Sequence, residues 1–174
     1  ATYRAEHDAL TGLLNRDGLE RELVRRAANG RHREGDGFAV LFLDLDDFKA
    51  VNDTHGHLVG DQVLTEAARR LTGCCRMSDA VARFGGDEFV VVQGGGPSDD
   101  DVAALAAKIR RAFVAPFTTD ELSLPVGVSI GAAQSATSLP GVSAMIRRAD
   151  TALFAAKRRG SGFVLAGSGD GAGI

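Results

Sequence analysis

Cysteine is scarce: among 174 residues only Cys74 and Cys75 occur, and they are adjacent. Neighbouring thiols fit neither a CxxC nor a zinc spacing, so a disulfide framework is excluded and a reducing, cytoplasmic setting is expected. Long hydrophobic runs are missing too. The longest, Phe38 to Leu43, is far short of the ~20 residues that cross a bilayer. The N-terminus lacks the charged and apolar layout of a secretory signal, so no membrane contact by this domain is expected, although a longer protein containing it is free to be membrane-attached. There is no basic excess either: the formal net charge is -3, which argues against a nucleic-acid partner. No Walker lysine motif is present, and the triple glycine Gly94 to Gly96 lacks the GxGxxG arrangement and reads as a flexible connection.

What is present is ordinary globular material, 44% hydrophobic and 25% charged, with length enough for one domain with a real core. Residues 1–166 form that expected domain, and residues 167–174 are a Gly-rich, mobile tail. The chain starts at Ala1 without Met, and a piece of a longer protein is the expectation.

Hydrophobic periodicity orders the chain. From Asn15, the residues Leu19, Leu23, Val24 and Ala27 recur at helical spacing, with Gly30 as the stop. Phe38 to Asp44 is an apolar run ending in a carboxylate, the pattern of a buried strand. Asp61 is a candidate cap for a helix carrying Val63, Leu64, Ala67, Ala68 and Leu71, closed by Gly73. Ala80 to Phe84 and Phe89 to Gln93 read as strands joined through Gly85-Gly86-Asp87-Glu88, a hairpin signal. Ser98 caps a helix with Val102, Leu105, Ile109 and Phe113 inward, which Pro116 ends; a strand from Val126 to Ala133 follows. The last helix runs from about Gly141 to Arg159 with Ile146, Ala149, Leu153 and Ala156 inward, and Phe163 to Leu165 adds an edge strand.

This order predicts an α+β fold with a ferredoxin-like βαββαβ core and a central, mostly antiparallel sheet flanked by helices. Right-handed crossover makes the first strand parallel to the second, with the third antiparallel between them. Asp44 and Asp87 then meet at one edge of the sheet. A strand-end Asp facing an acidic residue in a glycine turn offers hard oxygen ligands suited to Mg²⁺ when phosphate completes the shell. Spacing alone leaves a second reading open, in which Asp44, Asp46 and Asp47 form a solvated, helix-capping turn and Asp87 is a hairpin residue. His55 and His57 have no third ligand at metal spacing and read as loop residues.

Several ordered motifs resolve the choice. Arg83-Phe-Gly-Gly-Asp-Glu-Phe89 is accompanied by His7-Asp-Ala-Leu-Thr-Gly-Leu-Leu-Asn-Arg16, Phe42-Leu-Asp-Leu-Asp-Asp-Phe-Lys49 and Asn52-Asp-Thr-His-Gly-His-Leu-Val-Gly-Asp61. Val128-Ser-Ile-Gly131 and Ala149-Asp-Thr-Ala-Leu-Phe-Ala-Ala-Lys157 complete the set. From about His7 to Gly162 the chain resembles the GGDEF diguanylate cyclase family, whose fold is akin to the polymerase palm and the nucleotidyl cyclases.

The resemblance implies an enzyme that condenses two GTP into cyclic di-GMP and two pyrophosphates as a homodimer, with Mg²⁺ or Mn²⁺, two per half-site. It puts Asp44, the carbonyl of Leu45, and Asp87 on the metals, with Asp87 and Glu88 catalytic and Glu88 serving as base or as hydrogen-bond support. The triphosphate falls to the backbone after Asp46 (Asp47, Phe48 and Lys49) and to the Lys49 and Lys157 side chains. Gly85 and Gly86 let the hairpin backbone approach the nucleotide, where a side chain would intrude. Asn52 and Asp61 match the guanine-reading pair; a carboxylate accepting from guanine N1–H rejects adenine, which has a lone pair there. Arg76-Met-Ser-Asp79 matches the family's inhibitory RxxD site for cyclic di-GMP. It lies across the second strand from the hairpin, roughly 17 Å away over five residues. One departure stands out: where many family members carry an arginine for phosphate, this chain has Ser161, with Arg158 and Arg159 on a helix facing elsewhere. A rival implication is a silent GGDEF module that binds GTP or cyclic di-GMP and regulates an attached domain.

Overall fold

The central strand β1 (Ala39–Leu45) is buried along its whole length, and its alternation organises everything else. Ala39, Leu41, Leu43 and Leu45 join one hydrophobic cluster, whereas Val40 and Phe42 join another on the opposite face, as a period of two requires. The structure, a computed structural model, describes residues 2–29, 37–119, 121–134, 142–160 and 162–167. Gly30, Gly141, Ser161 and the expected tail from residue 168 lie outside the described residues.

Two helices, α1 (Thr2–Glu6) and α2 (Arg16–Asn29), precede β1; α3 (Phe48–His55) and α4 (His57–Cys74) follow it. Next come the hairpin strands β2 (Ala80–Gly85) and β3 (Glu88–Gln93), helix α5 (Asp99–Ala112), and a short hairpin of β4 (Phe117–Thr118) with β5 (Ser123–Leu124). The chain ends with β6 (Val128–Gln134), α6 (Val142–Arg159) and β7 (Phe163–Leu165). The main sheet runs in the order β2-β3-β1-β6-β7. β1 is antiparallel to both β3 and β6, β2 is antiparallel to β3, and β7 is parallel to β6. β1 and β2 are therefore parallel with β3 between them, the mostly antiparallel α+β arrangement expected.

One face of the sheet carries the apolar stripes of α4 and α5, and the other carries those of α2 and α6. The inward residues expected for α4 and α5 are all buried, the Val, Leu, Ile and Phe side chains among them each contributing about 1.5–3 kcal/mol if fully removed from water. Ser98 forms a capping box: its hydroxyl accepts from the Asp101 amide (3.1 Å) and its amide donates to the Asp101 carboxylate (2.9 Å).

Several expectations need correction. Asp61 is not a cap, because α4 already starts at His57 behind Gly56, whose φ of 87° suits only glycine. α4 also runs past Gly73 to Cys74. His55 and His57 are helix residues, closing α3 and opening α4. Val24 is exposed rather than inward. Gly94 is no mere flexible link: a Cβ there would press to 2.5 Å from the Ser78 carbonyl oxygen. Its amide donates to Asp79 at 3.1 Å.

The tightest seam joins β6 to α6. A Cβ on Gly131 would collide with backbone atoms of Ala149 and Leu153, and backbone cannot move aside as a side-chain tip can. Gly131→Ala should therefore destabilise by about 1–3 kcal/mol, lowering the melting temperature by roughly 2–12 °C in thermal denaturation. An unchanged melting temperature would mean that this close approach is not structural.

Candidate active site

Asp44 sits on the even-numbered face of β1, the face covered by α6. It pairs in register with Glu88 of the neighbouring antiparallel strand, so both carboxylates project to the same side. Like charges directly opposite one another are destabilising, and a third carboxyl, that of Asp87, stands close enough to act on Asp44. The tip is tight, with only Gly86 and Asp87 between β2 and β3, and the Leu45 amide donates to the Asp87 carbonyl at 3.3 Å. The sheet thus brings together Asp44, Leu45, Asp87 and Glu88.

Opposing this charge is Lys157, from the last turn of α6, which forms an ion pair with Asp44 Oδ2. It does not offset everything. Asp44 is only 8% exposed, and its Oδ1 is buried without a hydrogen-bond partner. Burial and the neighbouring Asp87 push the Asp44 carboxyl up to about 6 despite Lys157. Burial and the charges of Asp44 and Asp150 likewise raise Glu88, against the pull of Lys157 and Arg16.

An orphaned, buried carboxylate oxygen next to a second carboxylate calls for a cation. Among the described residues no group of three or more His, Cys, Asp or Glu side chains is arranged to hold a metal. The residues fit a hard ion whose shell is completed by phosphate and water rather than an all-protein cage, as Mg²⁺ prefers.

Two cavities flank this end of the sheet. The larger, about 930 Å³, is lined by Leu45, Asp46 and Asp47 on one side and Lys157 on another. Asp47, at φ 55°, turns the chain into α3, whose first-turn amides, those of Phe48 and Lys49, have no partner within the helix. Lys49 is 93% exposed, with only a distant pairing (3.8 Å) to Asp53. The Asp46 carboxylate turns away, accepting from the Ser129 hydroxyl at 2.7 Å. The smaller cavity, about 370 Å³, is lined by Arg16, Arg83, Gly85 and Gly86 among others. A Cβ on Gly86 would meet nothing within 4 Å, and one on Gly85 only the Glu88 carboxylate at 3.5 Å. The chain itself therefore has room for side chains at both positions, and any need for glycine there comes from a bound molecule.

Asn52 lies on α3 and Asp61 on α4. The helices meet so closely that a Cβ on Gly60 would collide with the Asn52 amide oxygen, which brings the Asn52 side chain against the residue preceding Asp61. Arg76 and Asp79 lie at the far end of β2 beside a separate cavity of about 280 Å³ that Lys108 also lines. Asp79 is already engaged, accepting from the amides of Arg76 (2.8 Å) and Gly94 (3.1 Å).

The sequence reading gave Asp8 and Arg83 no role, yet they fix the hairpin. Arg83 donates to the Gly86 carbonyl at 2.9 Å and to both Asp8 oxygens at 3.2 Å. Burial opposes ionisation of Asp8, but hydrogen bonds from Thr11 and the Arg83 charge hold its carboxyl below the usual range. The flanks of the glycine turn carried this signal: an arginine just ahead of it and an Asp-x-x-Thr turn within His7 to Arg16.

This geometry is that of an α+β domain with an acidic strand end, and comparison makes the class specific. The model of the family "Diguanylate cyclase, GGDEF domain" matches residues 5–162, and the chain belongs to that family. Diguanylate cyclase TpbB of Pseudomonas aeruginosa is 40% identical over 163 residues, covering 92% of this chain and 37% of that protein. A solved structure of its GGDEF domain superposes with a TM-score of 0.86 at 38% identity, covering 95% of this chain and 97% of that one. The GGDEF domain of DgcB from Caulobacter crescentus, solved in complex with c-di-GMP, gives a TM-score of 0.86 at 31% identity, covering 94% of both chains. Cyclic di-GMP phosphodiesterase PdeR of Escherichia coli is 37% identical over 158 residues, 91% of this chain and 23% of that protein. The chain thus spans well under half the length of these curated relatives. No described helix is long and apolar enough to cross a membrane.

The raised Asp44 carboxyl yields a signed prediction. An acid with a folded-state value above its ordinary 3.8 holds more protons folded than unfolded, so stability falls as pH rises from about 4 through 6. Asp44→Asn removes this pH dependence. Without metal, its melting temperature should gain on that of the wild type by a few degrees across this window. A constant difference between the two profiles would show that Asp44 carries no net repulsion.

Proposed function

We propose that this domain condenses two GTP into cyclic di-GMP with release of two pyrophosphates, and that two copies of the chain meet to do so. The observation that carries the reading is the buried Asp44 oxygen without a partner, set beside Asp87 and Glu88, with Leu45 and Lys157, its neighbours in chain and ion pair, lining a cavity of about 930 Å³. Divalent cations, Mg²⁺ or Mn²⁺ and two per half-site, would supply Lewis-acid activation of the α-phosphate and offset charge on the leaving pyrophosphate. Asp44, Asp87 and the Leu45 carbonyl are the residues to hold them.

The chain's own groups do the rest. The amides of Asp47, Phe48 and Lys49, with the side chains of Lys49 and Lys157, grip the triphosphate. Lys157, which pairs with Asp44, would turn to phosphate with cations held by the carboxylates. Asp61 accepts from guanine N1–H and the exocyclic amine, and Asn52 reads the same ring. Gly85 and Gly86 leave open space beside the hairpin for nucleotide. Glu88, its carboxyl raised by burial and by Asp44, takes the proton of the attacking 3′-hydroxyl. That hydroxyl comes from GTP on the second subunit, since one chain carries one set of these residues and the product has two phosphodiester bonds. Product then binds at Arg76, with Asp79 bracing the turn, and slows the reaction from a distance.

A second reading, a regulatory module that binds nucleotide without turning it over, draws on Ser161 and on the kinship with PdeR, named as a phosphodiesterase.

One assay separates the readings: incubation with GTP and Mg²⁺ followed by chromatography of the products. Cyclic di-GMP and pyrophosphate should form, and Asp87→Asn should cut the yield about a hundredfold or more with little change in melting temperature. Wild-type yield from that variant would sink the metal assignment; no product from the wild type would favour the regulatory module. In the same assay Arg76→Ala should start at the wild-type rate but fail to slow as product accumulates. Equal inhibition of both proteins by added cyclic di-GMP would place the inhibitory site elsewhere.

A further inference from the structure

We infer that Arg110, at the C-terminal end of α5, supplies the cation that grips the outer phosphates of GTP in this chain. The assignment rests on the nucleotide reading above and adds a residue to it. Arg110 lines the larger cavity together with the Asp47 turn, Lys157 and Gly162, so it faces the space beside the α3 amides across from the β1 end. Among the described residues its side chain makes no hydrogen bond or ion pair. Its guanidinium lies flat against Gly162: a Cβ there would come within 2.5 Å of Arg110 Cζ and 2.6 Å of Nε and Nη2. Gly162 thus makes the seat that lets a long side chain from another helix reach over the end of α6.

The alternatives are less well placed. Arg158 and Arg159 do not line the cavity, and Arg158 is drawn over the exposed Phe154 ring, 5.8 Å from its centroid. Arg111 lines the cavity as well, but it is the Arg110 guanidinium that lies against Gly162 at the end of α6. A polyanion in the cavity already has one cation, Lys157, which a carboxylate holds. Arg110 is the planar, five-donor group free to take two phosphate oxygens at once. Ending a helix with a cation is also favourable in itself, so the test must separate phosphate binding from helix capping.

The experiment is calorimetric titration of the purified chain, with Mg²⁺, against a GTP analogue bearing a methylene bridge between the α and β phosphates, and separately against GMP. Arg110→Ala should weaken the analogue about tenfold, the scale of one charge-assisted contact, while GMP affinity and melting temperature stay at wild-type values. Arg110→Lys should recover part of the loss. Arg159→Ala, which removes equal charge away from the cavity, should bind the analogue like the wild type. Equal weakening of analogue and GMP, no weakening of either, or the same loss in Arg159→Ala would each overturn the assignment. A wild-type chain that bound neither ligand would overturn the nucleotide reading itself, and this assignment with it.

Discussion

The pairing of Asp44 with Glu88 across β1 and β3 is the constraint on which the rest of the site depends. It follows from burial. Five apolar residues of β1, from Leu41 back to Ala39 and on through Leu43, together with Phe89 to Val92 of β3, lie in the core on alternating faces. Sliding one strand by a residue would turn each apolar set to the wrong face. The core therefore fixes a register that places two carboxylates opposite one another, and the two-residue turn adds a third. Hydrophobic energy distributed over two strands outweighs electrostatic repulsion concentrated at their ends. Lys157 relieves one oxygen, and an imbalance of negative charge remains at the other.

Holding that imbalance in place requires a rigid frame. α6 must approach the sheet closely enough for Lys157 to reach Asp44, which Gly131 permits by leaving out a side chain. The hairpin tip must not splay under its own charge, and Arg83, clamped between Asp8 and the Gly86 carbonyl, prevents this. The segment before α2 also pairs alongside β2, with the Arg83 amide donating to the Leu14 carbonyl at 2.8 Å. Fold stability and site geometry are thus one problem.

Much of this was legible in the chain. The apolar run ending at Asp44, the glycine turn at Gly85 to Glu88 and the parallel crossover together bring Asp44 to Asp87, and the motifs supply the family. What escaped has physical reasons. α3 is short and carries only Phe48 fully buried, so periodicity could not reveal it. The start of α4 is set by the backbone of Gly56, not by a capping side chain, which made Asp61 look like a cap. The β4–β5 hairpin has two residues per strand, too few for alternation to register. Gly94 looked flexible because its constraint, the Ser78 carbonyl, is remote in sequence. Arg110 carried no signal in the sequence, because only the fold brings the end of α5 beside the end of α6.

The central claim is that Asp44 is an unsatisfied carboxylate awaiting a cation shared with a nucleotide. Thermal denaturation with a non-reacting GTP analogue present, with and without Mg²⁺, tests it most directly. Mg²⁺ should raise the melting temperature of the wild type and leave that of Asp44→Asn unchanged. An equal rise in both proteins would contradict the claim.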